Sequence, residues 1–211
     1  MRPLERLTAR LSRPWRSAVD WLVTIGGAVV IVLALKAWVV NPYRVPSESM
    51  EPTLHCARPA VGCRARFSDR ILANRFIYHF VSPARGDIVV FHTPKAGGVD
   101  VVAHTCGESG TFVKRLIGLP GETVYEDRQA HIWIDGRRLV EPYVTADAYA
   151  DDRTRTTHVG HRWRVPPGRY FFMGDNRGES CDSRDWGSVP RSDFVGRVFA
   201  VYFPPGRIGL R

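Results

Sequence analysis

The distribution of apolar and polar positions changes character at residue 41. From Ala18 to Val40 apolar residues are almost continuous, and Trp21 to Leu35 carries no charge. About 20 such residues are enough to cross a hydrocarbon core of roughly 30 Å, so the run predicts a transmembrane helix over 18–40. Lys36 sits near one end, where its stem can carry the amine to the headgroups, and Trp21 and Trp38 occupy interfacial positions. Gly26-Gly27 is tolerated in such a helix. The run is longer than the core of a cleaved signal peptide. No small-x-small site follows it, only Asn41-Pro42-Tyr43-Arg44. The segment therefore reads as a retained anchor, with a buried core helix as the alternative.

Beyond residue 41 the helical stripe disappears. Short β-branched and aromatic runs alternate with Gly and Pro. Ile88 to Phe91 follows the turn residues Arg85-Gly86-Asp87; Phe112 to Leu119 ends at Pro120-Gly121; Tyr170 to Met173 and Phe194 to Phe203 are two more runs. Ile132-Trp133-Ile134 and Arg137-Arg138-Leu139 flank Asp135-Gly136, the dipeptide suited to a type I′ hairpin. The expected fold is mainly β, an antiparallel sheet or barrel-like catalytic domain behind a single N-terminal transmembrane helix. Residues 141–168 read as a long polar excursion and 204–211 as a tail.

Composition adds direction. The formal charge is +9, and Arg2, Arg6, Arg10, Arg13 and Arg16 all precede the apolar run. The positive-inside rule then places an Arg-rich segment 1–17 in the cytoplasm and the domain 41–211 on the outer face of the cell membrane. No nucleic-acid-binding motif accompanies the charge, so a nucleic-acid partner is not expected. The cysteines are Cys56, Cys63, Cys106 and Cys181, an even number compatible with disulfides in an exported domain. Of three pairings, a short Cys56–Cys63 loop is favoured, leaving Cys106–Cys181. Four free cysteines or a zinc site are the alternatives, though the spacing lacks the close ligand pairs of structural zinc.

Three polar segments carry candidate chemistry. Ser49 lies in Ser47-Glu48-Ser49-Met50-Glu51-Pro52-Thr53, just beyond the anchor. A serine is a weak nucleophile until a base takes its proton. Lys114 lies inside the apolar run 112–119, where strand alternation puts it on one face with Phe112 and Leu116. An amine in apolar surroundings loses hydration, its pKa falls, and the neutral form can act as a general base. Gly174 to Gly187 is dense in hydrogen-bonding side chains directly after a strand. Taken singly, these segments read as a surface serine, a snorkelling lysine and an Asx-rich turn.

Together they resemble the bacterial type I signal peptidases, or leader peptidases. Pro46-Ser47-x-Ser49-Met50-x-Pro52-Thr53-Leu54 comes first, followed by Arg85-Gly86-Asp87-Ile88-Val89-Val90-Phe91. Val113-Lys114-Arg115-x-x-Gly118-Leu119-Pro120-Gly121 and Gly174-Asp175-Asn176-Arg177 through Ser180-x-Asp182-Ser183-Arg184 complete the family's order. The resemblance implies a membrane-bound serine endopeptidase that removes signal peptides from exported preproteins after small-x-small sites. It implies Ser49 as nucleophile and Lys114 as general base, with no cofactor and no metal. Ser47 would complete the oxyanion hole with the Ser49 backbone N–H, and Ser180 would orient the lysine amine. Asp182 and Arg184 would be structural support. Tyr43, Val45, Met50, Leu54, Phe112 and Val113 would line shallow pockets for small substrate residues. The implied partners are preprotein signal peptides, the lipid bilayer and, indirectly, the export machinery. Glu48 stands where relatives often have Gly, and neither the Cys56–Cys63 loop nor Cys181 is a general family feature.

Other readings remain at this stage. Gly107-Glu108-Ser109-Gly110 looks like the nucleophile box of histidine-dependent serine proteases, but no matching His box exists. A relative dedicated to one pilin-like substrate and a non-catalytic tethered binding domain are the further alternatives.

Overall fold

The computed structural model describes residues 13–38, 40–149 and 158–211. The arginines expected to mark the inner side at Arg2, Arg6 and Arg10 lie outside the described residues, as does part of the 141–168 excursion. The chain divides into two compact units, one ending at Val40 and one spanning Asn41–Arg211.

In the first unit, Arg13–Trp38 forms helix α1, in line with the near-continuous apolar run. Trp21, Leu22, Val23, Ile25 and Val29 to Leu33 are exposed along it. The side chains of Lys36 and Trp38, expected at the interface, lie outside the described set. Among the described residues, no helix is long and apolar enough to cross a membrane.

The second unit is built from strands β1 (Val40–Arg44), β2 (Arg70–Asn74), β3 (Ile88–His92), β4 (Lys95–Ala96) and β5 (Val99–Asp100). Helix α2 (Val101–Cys106) follows, then β6 (Thr111–Gly118), β7 (Thr123–Glu126), β8 (Ile132–Ile134), β9 (Arg137–Arg138) and β10 (Arg162–Arg164). The C-terminal part holds β11 (Arg169–Met173), helix α3 (Ser183–Trp186), β12 (Val189–Pro190), β13 (Phe194–Phe203) and β14 (Gly209–Leu210). The main sheet has the order β1-β2-β13-β3-β6-β11-β12, with β14 paired to β13. A smaller sheet, β10-β7-β8-β9, carries the Asp135-Gly136 hairpin. Asp135 and Gly136 have φ of 47° and 80°, the left-handed pair a type I′ turn requires. The fold is mainly β with antiparallel sheets, as the strand pattern predicts.

The main sheet is covered on both faces at β3 and β11, which explains why Ile88 to Phe91 and Tyr170 to Met173 read as unbroken apolar runs. On β3, Ile88 and Val90 join a core with Val45, Met50, Leu54 and Val198. Val89 and Phe91 point the other way, to Leu116, Phe172, Trp186 and Val189. A third core, with Ile117, Ile132, Phe171 and Met173, joins the main sheet to the smaller one.

Two expectations need correction. The absence of helices past residue 41 overlooks α2, whose ends are marked in the sequence. The Asp100 side chain accepts from the Val102 and Ala103 N–H groups, and Gly107 closes the helix at φ 72°. The segment 204–211 is not a loose tail. Arg207 donates to both carboxylate oxygens of the fully buried Asp69 and to Thr53 O at 2.9 Å, which brings Gly209–Leu210 onto β13. The structure pairs Cys56 with Cys63 and Cys106 with Cys181, the latter tying the end of α2 to the segment before α3.

Candidate active site

Ser49 lies in a single 3-10 turn, Glu48–Met50, directly after β1. The turn is planted by its apolar flank: Met50 and Leu54 are fully buried, and the Leu54 N–H donates to Met50 O. Ser49 itself is 8% exposed, its hydroxyl 3.4 Å from that of Ser47.

The segment after β11 grips this turn from the other side. Asn176 donates from its backbone to Ser49 O and from its side chain to Glu48 O. Gly174 explains its own identity: a Cβ there would lie 2.3 Å from both Ser49 O and Ser180 Oγ. Only a residue without a side chain lets this backbone reach both groups.

Lys114 comes from the middle of β6, on the Phe112 and Leu116 face. It is 2% exposed, and its amine donates to Ser180 Oγ at 3.0 Å. Burial pushes this amine down from 10.5 to about 8; the negative charge of Asp182 opposes the shift and Arg184 adds to it. Ser47, Ser49 and Lys114 line one cavity of about 220 Å³, together with Glu48, Glu108 and the Cys106–Cys181 pair.

Asp182 is engaged by other partners. Arg184 donates to its two oxygens at 2.9 and 3.0 Å, and the Gly174 N–H adds a third bond at 3.1 Å. Burial raises the Asp182 pKa, but the charge and hydrogen bonds of Arg184 outweigh it and hold the carboxyl at about 2. Asp182 also caps α3 in a reciprocal box with Asp185.

A second cavity of about 410 Å³ adjoins the first, sharing Ser47, Ser49, Glu108 and Phe112 with it. Of the residues expected to line substrate pockets, Tyr43, Phe112 and Val113 line this cavity, joined by Ile71 and Val90. Val45, Met50 and Leu54 do not line it; they are core residues that support the wall and the Ser49 turn.

Sequence reasoning missed two buried ion pairs. Arg115, next to Lys114 on β6, forms a bidentate pair with Asp175 at 2.8 and 2.6 Å and stacks 3.9 Å over the Tyr143 ring. Arg177, fully buried, pairs with the buried Glu141 and donates to Gly174 O. The nearby Asp175-Asn176-Arg177 run was visible, but its carboxylate partner lies 36 positions upstream in the polar excursion. No local signal announces that pairing.

Chemically, a hydroxyl and a dry amine that line one cavity can exchange a proton, and the hydroxyl then becomes a nucleophile. The family model for signal peptidase, peptidase S26, matches residues 18–203. A signal peptidase I from Leptolyngbya laminosa is 34% identical over 194 residues, covering 90% of this chain and 82% of the relative. Signal peptidase I P from Bacillus subtilis subsp. natto is 35% identical over 194 residues, covering 90% and 91%. A crystal structure of a signal peptidase I from Enterococcus faecalis V583 is 30% identical, covers 56% of this chain and 97% of its own, and superposes with a TM-score of 0.40. With the match running from α1 to the end of β13, the chain belongs to the signal peptidases of peptidase family S26 and is a serine peptidase.

Proposed function

We propose that this protein removes N-terminal signal peptides from exported preproteins, with Ser49 as nucleophile and Lys114 as general base. The observation that carries the reading is the Lys114 amine, buried, lowered to about 8, hydrogen-bonded to Ser180 and lining one cavity with Ser49. At pH 7 an amine of that pKa is neutral in roughly one molecule in ten; at the ordinary lysine value it would be neutral in roughly one in 3,000.

Neutral Lys114 takes the Ser49 proton as Ser49 Oγ bonds to the scissile carbonyl carbon. The carbonyl oxygen becomes an oxyanion, received by the Ser49 backbone N–H and the Ser47 hydroxyl. A donor aimed at such an oxyanion is worth on the order of 10²–10³ in rate. The C–N bond breaks, the Lys114 ammonium returns its proton to the leaving amine, and an acyl-enzyme remains on Ser49. Lys114 then takes a proton from the water that attacks the ester and gives it to Ser49 Oγ as the acyl C–O bond breaks, which releases the signal peptide and restores the neutral amine. Ser180 keeps the amine pointed into the cavity throughout. Asp182, already bonded to Arg184, holds the segment that presents Ser180. Tyr43, Phe112 and Val113 shape a shallow apolar cavity that suits small side chains before the cut.

The same reading makes α1 the anchor in the cell membrane, N-terminus inside and the peptidase domain on the outer face. Its support is the uncharged run Trp21 to Leu35, the row of exposed apolar side chains from Trp21 to Leu33, and the arginines ahead of it. Apolar surface of that extent is stable against lipid tails and costly in water. Substrates would then present their cleavage region at the membrane surface.

The test is a preprotein cleavage assay in detergent with wild type, Ser49→Ala and Lys114→Ala. Both variants are expected to lose cleavage by at least about 10⁴-fold while remaining folded. Substantial cleavage by folded Lys114→Ala would remove the dyad.

A further inference from the structure

One covalent bond at the site takes no part in proton transfer. Cys106 and Cys181, 75 positions apart, are joined, and both line the cavity that holds Ser49 and Lys114. Cys181 directly follows Ser180, whose hydroxyl accepts from the Lys114 amine at 3.0 Å. Cys106 ends α2, and the chain runs on through Gly107 to Gly110 into β6, which carries Lys114. The disulfide therefore joins the same two stretches of chain as the Lys114–Ser180 hydrogen bond.

The chain on either side of Ser180-Cys181 is held by its own bonds. Before it, the Glu179 N–H donates to Asn176 O, and Arg184 donates to Arg177 O at 2.7 Å. After it, Asp182 accepts from Arg184 and from the Gly174 N–H, and the Ser183 hydroxyl accepts from the Phe172 N–H. Ser180 and Cys181 themselves enter no backbone–backbone hydrogen bond among the described residues. Two side-chain bonds hold this dipeptide: that of Ser180 Oγ to Lys114, and the disulfide. The other end of the disulfide is well anchored. Val102 of α2 is fully buried, and Asp100, which caps the helix, also accepts from the Thr93 hydroxyl. Cys106 and Cys181 both pack against the core that holds Val89, Phe91 and Leu116.

We propose that the Cys106–Cys181 disulfide is a positioning element of the active site: it holds Ser180 Oγ at the Lys114 amine, so that opening it slows cleavage in a molecule that stays folded. The proposal rests on Ser49 and Lys114 being the reacting pair. A hydroxyl on a dipeptide without backbone bonds can shift once its covalent tether is cut, and small misplacements of reacting groups are expensive. The ion pairs of Arg177 with Glu141 and of Arg184 with Asp182 do not depend on the sulfurs and keep the frame together. The tether opens by thiol–disulfide exchange. The thiolate of a dithiol reductant attacks one sulfur, the Sγ–Sγ bond breaks, and the released thiolate takes a proton. The reductant's second thiol then displaces the mixed disulfide. Two electrons pass to the cysteines, which end as two thiols, and the reductant ends as a cyclic disulfide.

Preprotein cleavage in detergent is compared for oxidised protein and for protein reduced with dithiothreitol, with near-ultraviolet circular dichroism reporting the fold. Reduction is expected to lower kcat by at least about tenfold with KM changed less than about threefold, and reoxidation should restore it. Cys106→Ala with Cys181→Ala should be as slow as the reduced protein and indifferent to dithiothreitol, which separates this bond from Cys56–Cys63. In Ser180→Ala, already slow, reduction should change kcat less than about twofold, because the group that the disulfide positions is gone. The acid limb of the pH profile should also move to higher pH on reduction. Burial is the largest cause of the lowered Lys114 amine, and a loosened wall admits water; the charged groups acting on it, Asp182, Arg184, Glu108 and Asp175, are not altered by the reductant. A kcat within about twofold of the oxidised value overturns the proposal, as does the full loss on reduction in Ser180→Ala. Unfolding on reduction also overturns it, since the bond would then hold the fold rather than the hydroxyl. If Ser49→Ala cut as fast as wild type, the assignment of the nucleophile would fail, which is a separate outcome.

Discussion

Lys114 and Arg177 are both basic side chains with almost no exposure, yet they end in opposite states. Arg177 faces the buried carboxylate of Glu141, so its charge is matched where it sits. Lys114 donates to a neutral hydroxyl, and the carboxylate that might have matched it, Asp182, is held by Arg184. Burial with a dedicated counter-charge preserves an ion; burial beside a counter-charge already engaged drives the group toward neutrality. The guanidiniums of Arg115, Arg177 and Arg184 build the frame, and the amine they leave unmatched is the one proposed as general base.

Lys114→Arg would break this contrast most severely. Guanidinium stays protonated at any working pH, so the base is lost even though the charge is kept. Cleavage should fall by at least about 10⁴-fold. Activity within tenfold of wild type would show that a neutral amine is not required.

Glu141→Gln tests the other half. It leaves Arg177 buried without its counter-charge, and stability measured by urea unfolding should drop by about 3–5 kcal/mol. A loss below about 1 kcal/mol would mean that the pair does not frame the Ser180 segment.

Gly174→Ala probes the contact between the frame and the reactive groups. The added methyl must displace Ser180 or the Ser49 turn, at a cost of about 1–3 kcal/mol. Cleavage per folded molecule should fall by roughly 10²-fold, since small misplacements of reacting groups are expensive. Unchanged kcat/KM would place Ser180 outside the reaction.

The smallest effect is the pH profile. The active form is the neutral amine, whose fraction falls below its pKa. With the amine at about 8, kcat/KM should rise close to tenfold per pH unit from pH 6 to 7 and level off above about 8. A flat profile across that range would contradict a titrating base.

Legibility in the sequence follows the range of the interaction. Local periodicity was sufficient for β3 and β11, because a strand covered on both faces reads as a nearly continuous apolar run. The Asp135-Gly136 turn was equally readable, since few residues accept its backbone angles. Helix α2 was missed although Asp100 and Gly107 mark its ends, because a six-residue helix is too short to show a stripe. The supposed tail at 204–211 was missed because its anchor, the Arg207 pair with Asp69, spans 138 positions. Met50 and Leu54 were expected in a substrate pocket and lie fully buried in the core; sequence proximity to Ser49 does not say which way a side chain faces.

By itself the sequence determined the class of fold, the strands that build it and which serine and lysine carry the family's pattern, since these depend on nearest neighbours along the chain. Only the tertiary structure decided that Asp182 is engaged by Arg184, that Gly174 lets two backbones meet, and that Lys114 is dry. An amine's protonation depends on the groups that surround it, and those surroundings come from residues up to 70 positions away.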